Sequence, residues 1–391
     1  MAVALHLLGG QRKVRDSPPM SSPPSATTST PPASAKLFQV REVLAHLTEK
    51  PPLVLGVILM VIPVLYAVAY GRGSGAAVML MAILSLSLIT AAGGLVTGAI
   101  NAPIFAVLAA GTCVAPGRPL VATAIAVAIA FWCSFGTASG RAVLVMTPCS
   151  ILCLWIMVPP QVVHGSSAHA LHNVIAVFAY ALLAALWGVG VGLLLRRGRT
   201  IPHIPGAPWR WALMQGTLVA VVLGLAAGVA TARHLGQGGA WLVLTVFLVF
   251  KPLTPHPWVR SFNRSLGTLV GVAIAAIYVW SLPTSAPSLT LLFPAALFLA
   301  GAAQVMVAGR WPYWCFVTVL TPGVVLLVAA TTPAAHPVAE ARTLDFLRIE
   351  YSLVGIAIAL IAQGLLIGIM RLVRDEESWV RRSASEGPAG A

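Results

Sequence analysis

WLVLTVFLVFKPLTPHPWVRSFNRSLGTLVG, residues 241–271, decides how the chain is read. It opens at Trp241 as an apolar helix shorter than its neighbours. Pro252, Pro255 and Pro257 then interrupt it, among Lys251, His256, Arg260 and Arg264. A glycine-bearing apolar helix resumes at Leu266. At the centre of a membrane helix an Arg costs about 2.5–3.5 kcal/mol. Cations this close to hydrocarbon stand at an interface, face a wet cavity or meet an anion.

The pattern returns about seventy residues later. Trp241 and Thr245 are four apart, and so are Trp314 and Thr318. Arg264 precedes Gly271 by seven residues, and Arg348 precedes Gly355 by seven. Each unit reads as a short helix with a Trp/Thr face, a polar break, an Arg and a glycine-bearing helix. Pro322-Gly323 is expected to break the second short helix much as Pro252 ends the first.

Composition sets the class. Of 391 residues 58% are hydrophobic and 9% charged, against roughly 25% charged in a soluble domain. The acids are confined to the two ends. Asp16, Glu42 and Glu49 precede Pro51, and the next acid is Glu340. A net charge of +14 raises the question of nucleic acid. The basic residues instead lie in short loops and at segment ends, where the positive-inside rule puts them. The expected surroundings are a lipid bilayer, with no nucleic-acid partner. Cys113, Cys133, Cys149, Cys153 and Cys315 all fall in apolar runs and read as packing thiols.

The fold expected is all-α and polytopic, with about twelve transmembrane helices in two six-helix halves and an inverted repeat in the second half. Residues 1–50 form a disordered Pro/Ser-rich arm followed by a short surface helix. Residues 51–195 are the first half, 196–210 a proline-stiffened linker, 211–373 the second half and 374–391 a cytoplasmic tail. The apolar segments run near 52–70, 76–91, 93–114, 119–137, 142–158, 173–195, 211–232, 238–252, 265–281, 287–308, 312–330 and 347–371. Only Gly93-Gly94 divides the second from the third. Loop arginines and lysines place both termini in the cytoplasm. On that topology the first Arg-bearing break faces inside and the second faces outside, so the two units are inverted. Matching broken helices in inverted repeats mark the binding sites of transporters.

Helical periodicity puts Trp241 and Thr245 on one face, and Trp314 and Thr318 on another. Arg264 and Arg348 each offer a planar fork of donors that fits a carboxylate. The expected substrate path is Trp241, Thr245, Lys251, Arg264, Thr268, Trp314, Thr318 and Arg348. Gly267, Gly271 and Gly355 are expected to pack helices. Taken one at a time, each residue has an ordinary explanation: an interfacial Trp, a Thr bonded to its own helix, a topology-setting Arg. The repeated spacing is the argument for a site. For proton coupling the candidate is Glu350, two residues after Arg348.

The stretch AWLVLTVFLVFKPLTPHPWVRSFNRSLGTLVGVAIA resembles the fusaric-acid-resistance (FUSC) family of membrane transporters. The family's W…T, apolar run and R..GT..G are matched by Trp241, Thr245, Arg264, Gly267, Thr268 and Gly271. RIEYSLVG is similar to a later R…G element, matched by Arg348 and Gly355. The resemblance covers roughly residues 211–371. It implies a bacterial inner-membrane protein, not an enzyme, that exports small organic acids, aromatic ones among them. It also implies a distant similarity to plant malate-type anion channels, hence a channel-like uniporter as the alternative. The cytoplasmic domains common in family exporters are missing here, and residues 51–195 lack an R..GT..G element.

Other chemistry is thin. His164, His169 and His172 share one loop without a Cys or carboxylate, so no metal site is assigned and no cofactor is expected. P-loop, HExxH and nucleophile-elbow motifs are absent. An integral-membrane enzyme ranks low because acid–base work needs a carboxylate or His within reach of the substrate. An accessory subunit is the third reading. Self-association into a homo-oligomer is compatible with the sequence.

Overall fold

The structure is a computed structural model. It describes residues 51–69, 73–139, 142–163, 165–196, 208–250, 257–282, part of 291–302, 312–331 and 347–368. The expected arm 1–50, most of the linker 196–210, the tail 374–391, Lys251 and His164 lie outside the described residues.

Every regular element among the described residues is a helix. The first six are α1 (Pro51–Ala69), α2 (Gly73–Gly93), α3 (Leu95–Thr112), α4 (Pro119–Ala138), α5 (Ala142–Trp155) and α6 (Leu171–Arg196). Then come α7 (Trp209–Ala232), α8 (Gly236–Val249), α9 (Pro257–Ser281), α10 (Tyr313–Thr331) and α11 (Leu347–Gly368). The described residues within 291–302 are helical too. Among the described residues seven helices are long and apolar enough to cross a membrane: α2, α3, α4, α6, α7, α9 and α11. The apolar cores of α1, α5, α8 and α10 are shorter. α8 has 14 residues. At about 1.5 Å per residue it reaches roughly 21 Å, short of a hydrocarbon core about 30 Å thick. Large apolar side chains such as Leu183, Val221, Leu225 and Ile361 are exposed along the long helices. Water would not tolerate so extended an apolar surface, and lipid does.

Two proline expectations fail. The segment expected from 265 begins at Pro257, so Arg264 stands inside α9 rather than in a break. Proline at a first helical position loses a donor that has no intrahelical partner, and its fixed φ favours the turn. Pro322 does not break α10, which runs on to Thr331. Within a helix, proline removes the donor for the carbonyl four residues back, here that of Thr318. Neighbouring helices re-satisfy such groups inside membranes. The weak division between the second and third segments holds: Gly94 separates α2 from α3 at φ 82°, a region costly for any residue with a Cβ. Any side chain there would also strike Arg196 at the end of α6.

The most extensive pairings are α2 with α6, α4 with α7 and α9 with α10. Glycine sets the separation. A Cβ at Gly188 would lie 2.7 Å from the Ile83 carbonyl oxygen, and one at Gly192 2.5 Å from that of Ser87. In α9 a Cβ at Gly267 would lie 2.6 Å from the Trp314 carbonyl, and one at Gly271 2.7 Å from that of Thr318. Gly355 in α11 faces the Leu242 carbonyl of α8, 3.0 Å from such a Cβ. In each pair the residue numbers rise together, so the paired helices are parallel. Such close approach needs residues without side chains and permits Cα–H···O contacts. The carbonyl that Pro322 frees, that of Thr318, is the one seated on Gly271. Residues Val64, Ala67 and Ala76 of α1 and α2 pack with Val279, Val325 and Leu326 of α9 and α10, joining the first helices to the last.

Asn173, fully buried, fastens the α5–α6 connection. Its Oδ1 accepts from the Val162 and Val163 amides at 2.9 and 3.2 Å. Its Nδ2 donates to the Pro160 and Ala168 carbonyls at 3.2 and 2.9 Å.

The glycine seats predict a sharp contrast within α6. Gly192→Ala pushes a methyl into the Ser87 backbone and lowers stability by about 1–3 kcal/mol. Gly190→Ala, with nothing within 4 Å of its Cβ, leaves stability unchanged. Thermal unfolding of the two variants in detergent reads the difference, and equal melting temperatures would contradict the packing.

Candidate functional site

α8, α9, α10 and α11 carry the repeated residues, and they pair across units. The glycine of the first unit, Gly271, lies against Thr318 and Thr321 of the second unit's short helix. The glycine of the second unit, Gly355, lies against Leu242 and Thr245 of the first unit's short helix. Each unit's glycine thus seats on the other unit's short helix, about one turn apart in the register of the Trp/Thr spacing.

Both arginines are buried, Arg264 at 6% exposure and Arg348 at 4%. Arg348 reaches from α11 over α8 and α10. Its Cζ sits 4.3 Å from the centroid of the Trp241 ring. Its Nη2 donates to Thr321 Oγ1 at 3.3 Å. Trp241 is itself buried, at 2% exposure, and packs with Leu154, Ala240 and Leu244. A desolvated cation–π contact contributes about 2 kcal/mol, and a hydrogen bond from a charged donor about 1.5–3 kcal/mol. Together they offset an insertion cost of about 2.5–3.5 kcal/mol.

Arg264 has no such setting. It makes neither a ring contact nor a hydroxyl bond of this kind, and its Nε is buried without a hydrogen bond, as are the Nε and Nη1 of Arg348. Sequence spacing matches Thr321 to Leu248, but the glycine seats match it to Thr245: the Cβ of Thr321 meets Gly271 and that of Thr245 meets Gly355. Trp314, the counterpart of Trp241, is 37% exposed. The one acidic residue among the described residues, Glu350, is exposed. Two residues beyond Arg348, it projects away from the helix face that carries Arg348 and Ser352. A buried guanidinium with neither counter-charge nor full hydrogen bonding is chemically fitted to hold an anion.

Hydroxyls surround the arginines. Thr245, Thr268 and Thr318, all expected, are buried. Thr245 Oγ1 donates to Ser352 Oγ at 3.4 Å, while Thr318 Oγ1 is buried without a partner. Gly267 and Gly271 lie against α10 carbonyls, and Gly355 against an α8 carbonyl. Sequence reasoning missed Thr321, Ser352 and Gln363, all buried. Gln363 Nε2 donates to the Val249 carbonyl at 3.4 Å. The spacing held a signal for Ser352: it follows Arg348 by four residues, as Thr268 follows Arg264.

The α2–α6 pair shows what the same packing looks like without the cation. Gly188 and Gly192 match Gly267 and Gly271 in spacing, and each pair faces carbonyls four residues apart. The Cβ of Thr90 meets Gly192 as that of Thr321 meets Gly271. In this register Ala185, fully buried, stands where α9 has Arg264. Among the described residues no group of three or more His, Cys, Asp or Glu side chains could hold a metal ion.

These features define a polytopic, all-helical membrane protein with two buried cations on internally repeated units. Residues 219–362, from within α7 to within α11, match the family model described as fusaric acid resistance protein-like, and this stretch belongs to that family. No curated protein and no solved structure matches the chain.

If the ring contact holds Arg348, the energies of its two partners are coupled. In a double-mutant cycle of Trp241→Leu and Arg348→Met, thermal stability yields a coupling of roughly 0.5–2 kcal/mol. Strict additivity would remove the contact from the account.

Proposed function

We propose that this protein is a membrane transporter that exports small organic acids, aromatic carboxylates among them, across the plasma membrane. The observation that carries the reading is Arg264: a cation 6% exposed, its Nε unpartnered, in a chain without an acid from Pro51 to Ala339. A travelling anion supplies the missing charge. Arg264 and Arg348 line its path with Thr245, Thr268, Thr318 and the two tryptophans; Lys251, assigned to the same path from the sequence, lies outside the described residues. The family match over residues 219–362 supports transport rather than catalysis. In this reading twelve helices form two six-helix halves, both termini are cytoplasmic as the loop charges require, and the two units of 211–373 are inverted. The halves differ, because the first has Ala185 where an arginine would stand.

The alternative is a channel-like uniporter for the same anions, and Glu350 separates the two. Proton-driven transporters carry a titratable relay near the path, and Glu350 is the acid nearest to Arg348 in sequence.

Proteoliposomes loaded with labelled organic acids test both points. Arg264→Ala and Arg348→Ala abolish concentrative transport with normal insertion, and Lys at either position rescues poorly because a point charge does not replace a bidentate fork. Full activity of both Ala variants would end the anion-path reading. Under an imposed pH step, Glu350→Gln uncouples a proton-driven exporter, leaving downhill flux. Unchanged flux would favour the uniporter.

A further inference from the structure

α9 and α11 enclose an apolar groove that the anion path does not use. Leu269, Ala273, Ala276, Ile277 and Trp280 of α9 line it together with Ile349 of α11, around a cavity of about 360 Å³. Helical periodicity builds it. Positions 269, 273, 276 and 280 recur at steps of three and four, so they form one stripe of α9. The two alanines leave a depression between Leu269 at one end and Trp280 at the other. The stripe looks outward, since Leu269, Ala273, Ile277 and Trp280 are exposed. From Leu269 to Trp280 it runs about 16 Å at about 1.5 Å per residue. That is about half of a hydrocarbon core about 30 Å thick, the depth of one leaflet. On the topology proposed above, α9 ends and α11 begins at the outer surface, so the leaflet is the outer one.

Glu350 supplies a charge beside the groove. It directly follows Ile349 and is exposed. Leu353 and Val354, three and four residues on, share its side of α11 and are exposed too. The acid therefore stands on a face that lipid covers, where a carboxylate is costly unless a cation meets it. Among the described residues no side chain pairs with it.

We propose that the groove binds an outer-leaflet phospholipid with a primary-ammonium headgroup. Its acyl chain lies along α9 between Leu269 and Trp280, and its ammonium meets Glu350. The site is independent of the anion path. Apolar contact alone would accept any acyl chain, and the carboxylate chooses among headgroups. An anionic lipid, or the anionic cargo itself, would bring like charge against Glu350. An ammonium brings the opposite charge to a place that water screens weakly. Trp280, one residue from the end of α9, suits the headgroup level, where amphipathic rings gather.

Purified full-length protein is equilibrated with mixed micelles holding equal amounts of phosphatidylethanolamine and phosphatidylglycerol with the same acyl chains. Native mass spectrometry then counts the retained lipid. The wild type retains the ethanolamine lipid severalfold over the glycerol lipid. Glu350→Gln retains lipid without that preference. Ala273→Leu combined with Ala276→Leu fills the groove and lowers retention of the ethanolamine lipid severalfold. Where the double variant fails to fold, Ala273→Leu alone, at an exposed position, carries this arm. Equal retention of the two lipids by the wild type, or an unchanged preference in Glu350→Gln, would overturn the headgroup contact. Undiminished retention in the leucine variants would overturn the groove. Displacement of the lipid by added benzoate would give the groove to the cargo instead.

Discussion

Two guanidinium groups buried among membrane helices impose the main constraint on this molecule. From Pro51 to Ala339 the chain has no acid. A membrane interior cannot screen the charge, so each cation needs a protein dipole, a π face or a ligand. Arg348 obtains a π face and a hydroxyl, while its Nε and Nη1 are buried without a hydrogen bond. Arg264 obtains less.

The packing shows that the arginines are not by-products of the fold. α6 seats its glycines on α2 as α9 seats its glycines on α10, with the same four-residue spacing of carbonyls. That pair holds together with Ala185 in the arginine's place. Close helix packing thus needs the glycines and not the cation. Pro322 takes part in this economy of backbone groups. It withholds a donor from the Thr318 carbonyl at the point where Gly271 comes close enough to touch it. The short helices α8 and α10 carry the facing carbonyls and the ring and hydroxyl groups, while the long helices bring the arginines.

Much of this was legible in the sequence. Hydropathy located the helices because apolar runs between short charged loops have few alternative structures in a bilayer. The equal spacings of Trp241 with Thr245, Trp314 with Thr318, and each Arg with its glycine pointed to the residues the structure brings together. The prolines misled, because a proline that opens a helix and one that a packed helix absorbs look the same in sequence as one that breaks it. Pro257 and Pro322 were both read as interruptions and are both inside helices. Exchange of partners between units was beyond reach, since periodicity reports faces of one helix and not which helix lies opposite. For the same reason the repeat made Trp241 and Trp314 look equivalent, although burial distinguishes them.

The exchange of partners has a mechanical consequence. Arg348 belongs to the second unit and stacks on the tryptophan of the first, while Gly271 of the first unit seats the threonine that Arg348 holds. Neither unit completes its own site. A change of angle between the units therefore acts on ring contact, hydroxyl bond and glycine seat at once. Backbones that meet at carbonyl distance slide or separate as wholes, because no side chain lies between them to absorb the movement. Two discrete arrangements are then easier to reach than a continuum.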